Sequence, residues 1–123
     1  MSKNLNIQVT DYILPSWNQI YKGVHWVKRK QLVDEAHELV KWAVYQVQNK
    51  PDLPFLKPVD IFYHVHYEAK RRRDPDNATV KFLCDGLVLS GVLTDDSSKE
   101  INSITVKVSI GEKNFVDIKI KEL

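Results

Sequence analysis

One stretch decides the fold of this chain: Pro58-Val59-Asp60-Ile61-Phe62-Tyr63-His64-Val65-His66-Tyr67-Glu68. Its polar and apolar residues alternate strictly, and many are β-branched or aromatic, which is typical of a β-strand. Because successive side chains of a strand point to opposite sides, the stretch separates into two faces. One face carries Ile61, Tyr63, Val65 and Tyr67. The other carries Asp60, Phe62, His64, His66 and Glu68.

Two helices are predicted on either side of this strand in the sequence. From about Trp26 to Gln48, apolar residues recur at intervals of three and four, which predicts a long amphipathic helix. They are Leu32, Val33, Ala36, Leu39, Val40, Ala43, Val44 and Val47. After the strand, Asp76 or Asn77 is a good N-cap for a second helix that runs to about Leu89.

Three further strands complete the predicted fold. Residues 5–13 alternate loosely in polarity and predict a first strand, and residues 15–23 read as a loop. Ile101 to Ile110 and Asn114 to Ile120 predict two strands joined as a hairpin at residues 111–113. The order is therefore β-α-β-α-β-β. We expect an α+β fold in two layers, with a mixed sheet and the helices packed on one face.

Length and composition limit the class of protein. At 123 residues the chain is long enough for one hydrophobic core and too short for two, so we expect a single domain over residues 1–123. Its net charge of +2 is only mildly basic. A lone cysteine, Cys84, excludes an internal disulfide and a cysteine-rich zinc site, and we expect it to be buried. Without an apolar run of about 18–20 residues or the apolar core of a signal peptide, a cytoplasmic location is expected.

The segment Lys70-Arg71-Arg72-Arg73-Asp74-Pro75-Asp76-Asn77 carries the strongest chemical signal. Two neighbouring carboxylates repel unless a cation lies between them, and hard oxygen ligands select Mg²⁺ or Mn²⁺. The basic run beside them suits a polyanionic substrate such as nucleic acid. Taken alone, the motif also matches a common turn in which Asp76 only caps the next helix. A calcium-binding loop is excluded because the required central glycine and terminal glutamate are missing.

Lys81, Asp95 and Asp96 are candidates further along the chain. A cation in the first part of a helix opposes the helix dipole, so Lys81 has no local helical reason to be there. It either meets a phosphate or a group of carboxylates, or it pairs with Asp85 one turn later. Asp95 and Asp96 follow a helix roughly 20 Å long, so the connector must double back to bring either of them to the first pair. Otherwise they form a solvated turn.

His64 and His66 lie on one strand face with Glu68, at a spacing that permits metal binding. No convincing further ligand set is evident in the sequence beyond the neighbouring aspartates. We therefore favour a structural or solvent-facing role for both histidines. Glycine-rich phosphate loops and nucleophile-elbow sequences are absent from the chain.

In combination, these motifs resemble those of the RusA family of Holliday junction resolvases. The matching pieces are the basic run with Asp74-Pro75-Asp76-Asn77, then Lys81, then Gly91-Val92-Leu93-Thr94-Asp95-Asp96. The loop Pro15-Ser16-x-Asn18-x-x-Tyr21 resembles the N-terminal loop of that family. The resemblance spans roughly residues 5–110. One departure is a single additional residue between Asp76 and Lys81.

The resemblance implies a homodimeric endodeoxyribonuclease that binds four-way DNA junctions and makes paired symmetric nicks with Mg²⁺ or Mn²⁺. Asp74, Asp76 and Asp96 would be the catalytic, metal-binding carboxylates, with Asp95 as an additional candidate ligand, and Lys81 would be the essential lysine. The residues expected to contact DNA are Lys70, Arg71, Arg72, Arg73, Asn77, Asn18, Lys28, Arg29 and Lys30. Neither a membrane nor a nucleotide cofactor is implied.

Three alternatives stay open at this point. A non-catalytic protein of the same fold could bind branched DNA through the basic run alone. A nuclease could act on flaps or other branched DNA. An interaction or regulatory protein could use the Asp-x-Asp-Asn motif only as a helix cap. Metal-dependent nicking and salt-sensitive DNA binding distinguish these possibilities.

Overall fold

A computed structural model describes residues 3–21, 26–68 and 78–123 of the chain. The elements, in chain order, are β1 (Asn4–Val9), α1 (Trp17–Tyr21), α2 (Trp26–Gln46), β2 (Val59–Tyr67), α3 (Val80–Leu89), β3 (Ile101–Ile110) and β4 (Phe115–Glu122). The predicted α+β class is confirmed, and the observed order differs from the predicted one by the additional short helix α1.

The four strands form one mixed sheet in the order β1-β4-β2-β3. β4 is antiparallel to both β1 and β2, whereas β2 and β3 are parallel. Parallel neighbours cannot be joined by a tight turn, so the chain between β2 and β3 has to cross the sheet. α3 lies within this crossover.

The side chains of β2 show which face of the sheet is buried and which face is open. Val59, Ile61, Tyr63, Val65 and Tyr67 are buried, and the residues between them are half-buried, as the alternation predicted. The buried side chains of α2 and α3 belong to the same core cluster as this face of β2. The helices therefore cover one face of the sheet, while Asp60, Phe62, His64 and His66 lie on the other.

The predicted hairpin between β3 and β4 is wrong, because these two strands lie on opposite sides of β2. Their connector crosses the end of β2, where the Gly111 amide donates to the Tyr67 carbonyl at 2.8 Å. Competition between strands explains the difference. β4 buries alternate apolar residues, Val116, Ile118 and Ile120, and takes an inner position, whereas β3 is mostly exposed and takes an edge.

A second difference is the helix α1, which lies in a segment that had been predicted to be a loop. Ser16 and Gln19 form a reciprocal capping pair: the Gln19 amide donates to Ser16 Oγ at 3.1 Å, and the Ser16 amide donates to Gln19 Oε1 at 2.9 Å. This Ser-x-x-Gln pattern is a helix-start signature. β1 also ends earlier than predicted, at Val9, and Asp11 follows with a positive φ of 49°.

The start of α3 is displaced from the predicted position. The helix begins at Val80 with Thr79 as its N-cap residue, instead of starting after Asp76 or Asn77. Lys81 is therefore the second residue of the helix. Among the described residues, no helix is both long and apolar enough to cross a membrane.

α2 and α3 approach each other closely at Gly86. A Cβ atom added to Gly86 would lie 2.9 Å from Cβ of Val40, which is fully buried on α2. Real Cβ atoms do not approach that closely, so only glycine allows the two helices this separation. The packing of α3 against the core depends on this contact.

We expect Gly86→Ala to lower the free energy of unfolding by about 1–3 kcal/mol, because overpacking outweighs the better helix propensity of alanine. Urea denaturation measures the change. Gly111→Ala is the matched control, since a Cβ there meets nothing within 4 Å. A double-mutant cycle with Val40→Ala should show non-additive free energies. Equal stability of Gly86→Ala and the wild type would contradict the proposed contact.

Candidate functional site

An open pocket of about 350 Å³ lies beside the first turn of α3. Its wall is formed by residues from α1, α3, the connector that follows α3, and β3. These residues are Trp17, Ala78, Val80, Lys81, Cys84, Asp96, Ile101, Ile104 and Val106. Most of the lining is apolar, and Lys81 and Asp96 supply opposite charges. Two of the four residues predicted to be catalytic are thus brought to one pocket.

The connector that follows α3 doubles back, as a shared site requires. α3 ends in a Schellman motif: Gly91 has a φ of 82°, its amide donates to the Val88 carbonyl at 3.1 Å, and the Val92 amide donates to the Leu87 carbonyl at 2.9 Å. Val92 and Leu93 are then buried in the core. This anchors the connector and returns Asp96 to the pocket that Lys81 and Ala78 line.

The loop before α1 is tied to the residues just before α3. Ser16 and Ala78 form an antiparallel bridge, and the hydroxyl of Thr79 donates to the Pro15 carbonyl at 2.8 Å. Thr79 is fully buried, and its side chain makes this bond to the loop and no capping bond to α3. The rings of Trp17 and Phe82 lie 5.3 Å apart. Asn18, which was expected to contact DNA, follows Trp17 on α1 and is exposed.

Lys81 forms an ion pair with Asp85, which was one of the two roles considered for it from the sequence. Its Nζ lies 3.5 Å from Oδ1 of Asp85, one turn along the helix. Because 58% of the Lys81 side chain is exposed, solvent screens this pair, and such pairs contribute only a few tenths of a kcal/mol. The ion pair therefore leaves the ammonium group available to a charged ligand in the adjoining pocket.

Asp95 and Asp96 have different surroundings although both are exposed. Oδ1 of Asp95 accepts a hydrogen bond from the Asp96 amide at 2.8 Å, so this carboxylate shapes the connector. Asp96 lines the pocket. Of the acidic pair, Asp96 is thus the residue that the geometry associates with Lys81.

Cys84 is buried at the inner wall of this pocket, as predicted. Burial raises the pKa of its thiol, a hydrogen bond with Tyr63 lowers it, and the negative charges of Asp96 and Asp85 raise it further. Lys81 has the opposite effect. This buried neutral thiol therefore belongs to the core, and the charges that act on it come from the residues around the pocket.

The remaining predicted site residues fall into two groups. Lys70, Arg71, Arg72, Arg73, Asp74, Asp76 and Asn77 lie outside the residues that the structure describes. Lys28, Arg29 and Lys30 lie in the first turns of α2. There Arg29 Nε donates to the Ile20 carbonyl at 2.9 Å, and Lys30 pairs with Asp34 at 2.7 Å. Both of these cations make contacts within the protein, while Lys28 is exposed.

A second cluster, missed in the sequence, lies on the open face of the sheet. The pairing of β2 with β4 places Asp117 directly opposite His64, and His66 lies two residues further along β2. Together these three side chains could hold a metal ion. Asp117 was missed because the sequence does not show that β4 pairs with β2. Glu68, which had been considered with the two histidines, follows the end of β2, and its backbone amide donates to Oδ1 of Asn114 at 3.0 Å.

Comparison with known proteins adds no assignment to this geometry, since no protein-family model matches the chain and no curated protein matches it.

We expect Thr79→Val to lower the free energy of unfolding by about 1–3 kcal/mol, because it leaves the Pro15 carbonyl without its buried donor. Thr94→Val is the matched control, since Thr94 is exposed. Urea denaturation compares the two variants. If both variants lose the same stability, the Thr79 hydrogen bond does not hold the α1 loop in place.

Proposed function

We propose that this protein is a metal-dependent endodeoxyribonuclease of the RusA type, which resolves four-way DNA junctions. The observation that carries the proposal is the return of Asp96 to the pocket lined by Lys81 and Ala78. The motif pieces that resemble the family are far apart in the sequence. An acidic pair that served only as a solvated turn would have no reason to lie beside the lysine of the same motif set.

Chain connectivity supports a shared site for the three carboxylates. Asp76 precedes Ala78 by two residues and Asp74 precedes it by four, which limits their separations from Ala78 to at most about 7 and 14 Å. Ala78 itself lines the pocket with Asp96. Both aspartates are therefore close enough in the chain to contribute to a site at the pocket, and we propose that they do.

The donor set suits Mg²⁺ or Mn²⁺. Asp74, Asp76 and Asp96 would supply hard carboxylate oxygens, the ligands that these ions prefer. Asp96 is exposed at the pocket and accessible to an ion from solvent. Bound there, the metal would activate water and offset charge on the scissile phosphate.

Lys81 would act on the phosphate itself. Its ammonium group is exposed and lines the same pocket as Asp96. From there it would stabilise negative charge on the leaving oxygen. Because its contact with Asp85 is screened, reorienting the side chain towards a phosphate would cost little.

The basic segments would hold the DNA around the site. Lys70 to Arg73 directly precede Asp74 and would bind flanking phosphates, and Lys28 at the start of α2 is a further exposed cation. Junction preference would follow from the geometry of a homodimer, since two copies of the site would face two strands of one junction. The affinity for DNA should fall steeply as salt concentration rises.

The decisive test compares a synthetic four-way junction with a linear duplex of the same sequence, with and without Mg²⁺. Wild-type protein should nick the junction in symmetric pairs and only with metal. Asp96→Asn and Asp76→Asn should abolish nicking while binding, measured without metal, is retained. Asp95→Asn is the matched control, because asparagine keeps the Oδ1 acceptor for the Asp96 amide. Metal-dependent nicking that survives Asp96→Asn, or none by the wild type, would refute the proposal.

Lys81→Met should reduce the rate of junction cleavage by about 10²–10³-fold, because it removes the charge that stabilises the leaving group. Asp85→Asn breaks the same surface ion pair but keeps the lysine, so it should cleave at nearly the wild-type rate. Single-turnover rates at saturating protein separate cleavage from binding. If both variants lose the same cleavage rate, Lys81 acts only through its ion pair with Asp85.

A further inference from the structure

His64, His66 and Asp117 come together on the face of the sheet that lies opposite the helices. Neighbouring residues of β2 point to opposite faces, so His64 lies on the open side while Tyr63 contacts Cys84 on the helix side. The His64 cluster is therefore separated from the Lys81 pocket by the sheet itself. A function at this cluster would be independent of the proposed nuclease site.

The distances within the cluster are close to those of a metal site. One candidate ligand atom from each residue lies within 4.8 Å of the others. Nε2 of His66 is 3.5 Å from Oδ2 of Asp117. Bonds of about 2.0–2.1 Å in a tetrahedral site place ligand atoms about 3.4 Å apart. The pair formed by His66 and Asp117 is thus already at the required spacing, and the ligand atom of His64 lies within 4.8 Å of both.

Surrounding residues orient all three side chains. Gln8 Nε2 donates to Oδ1 of Asp117 at 3.0 Å, which directs the other carboxylate oxygen towards His66. Nε2 of His64 is hydrogen-bonded to Ser109 Oγ at 2.8 Å. Phe115 stacks on the His66 ring with centroids 4.0 Å apart. Such outer contacts hold the ligands of metal sites in place and strongly affect affinity.

Nε2 of His66 contacts Oδ2 of Asp117 at 3.5 Å but forms no hydrogen bond with any residue that the structure describes. This nitrogen is enclosed by the protein. An enclosed polar atom without a partner costs stability. A bound ion between His66 and Asp117 would provide the missing partner.

The chemistry of the ligands selects the class of metal. Two imidazoles and one carboxylate suit Zn²⁺ and related transition metals, whereas Mg²⁺ prefers oxygen ligands. Burial lowers the pKa of His64, and the nearby His66, Lys107 and Lys119 lower it further, whereas Asp117 raises it. The two lysines also oppose a divalent cation, so they weaken binding without altering the preference for nitrogen ligands.

We propose that His64, His66 and Asp117 form a binding site for a divalent transition metal of the Zn²⁺ class on the open face of the sheet. Three protein ligands leave at least one coordination position for water or an incoming group.

Isothermal titration of the full-length protein with Zn²⁺, in excess Mg²⁺, tests the site. Wild-type protein should bind one Zn²⁺ per chain, and Zn²⁺ should raise its thermal midpoint. Asp117→Asn and His64→Gln should each weaken binding at least tenfold, the scale expected when a site loses a ligand or its support. Two variants are used so that one decides the result if the other fails to fold.

Three matched controls separate this site from other metal ligands. His37→Gln removes a histidine on α2, Asp60→Asn removes a carboxylate at the far end of the same face of β2, and Asp96→Asn removes the carboxylate of the nuclease proposal. All three should bind Zn²⁺ as the wild type does. The site is refuted if the wild type binds no Zn²⁺, or if Asp117→Asn and His64→Gln keep wild-type affinity. If Asp96→Asn is the only variant that loses Zn²⁺ binding, the ion binds at the Lys81 pocket instead.

Discussion

The parallel pairing of β2 with β3 is the constraint on which the rest of the structure depends. Parallel strands require a crossover connection, so the chain has to pass over one face of the sheet before β3 begins. α3 occupies this crossover and packs on α2 through the contact between Gly86 and Val40. With α3 so placed, the connector behind it must return towards β3, and this return places Asp96 beside Lys81.

The pocket at the start of α3 is assembled from segments that are distant in the chain. The Pro15–Ser16 loop is tied to Ala78 and Thr79, while the Schellman motif at Gly91 anchors the connector. These contacts lie in or near the core, whereas Lys81 and Asp96 are exposed to solvent. A site that binds a polyanion needs this combination, because the scaffold must be rigid while Lys81 and the carboxylates keep access to water and ions.

Much of the fold could be predicted from local patterns in the sequence. The predictions that failed concerned strand pairing, which depends on competition between distant segments. The two faces of β2 followed from alternation alone, and the burial of Cys84 followed from its apolar neighbours Phe82, Leu83 and Leu87. The hairpin between β3 and β4 failed because strand pairing is decided by burial: the apolar alternation of Val116, Ile118 and Ile120 moved β4 to the interior of the sheet. Asp117 was not found for a related reason, since its position opposite His64 depends on the pairing of β4 with β2, which are distant in the chain. The capping pair Ser16 and Gln19 was visible in the sequence but was overlooked.

The inner position of β4 also governs how the sheet can form. Gln8 and Asp117, which share a hydrogen bond, are 109 positions apart, and every contact between β1 and β4 joins opposite ends of the chain. Closing so long a loop costs chain entropy before any contact repays it, which makes such topologies slow to fold. β4 also takes part in two of the three strand pairings. β1 has no other neighbour in the described sheet, so it can pair only after residues 115–122 have been synthesised and β4 has docked.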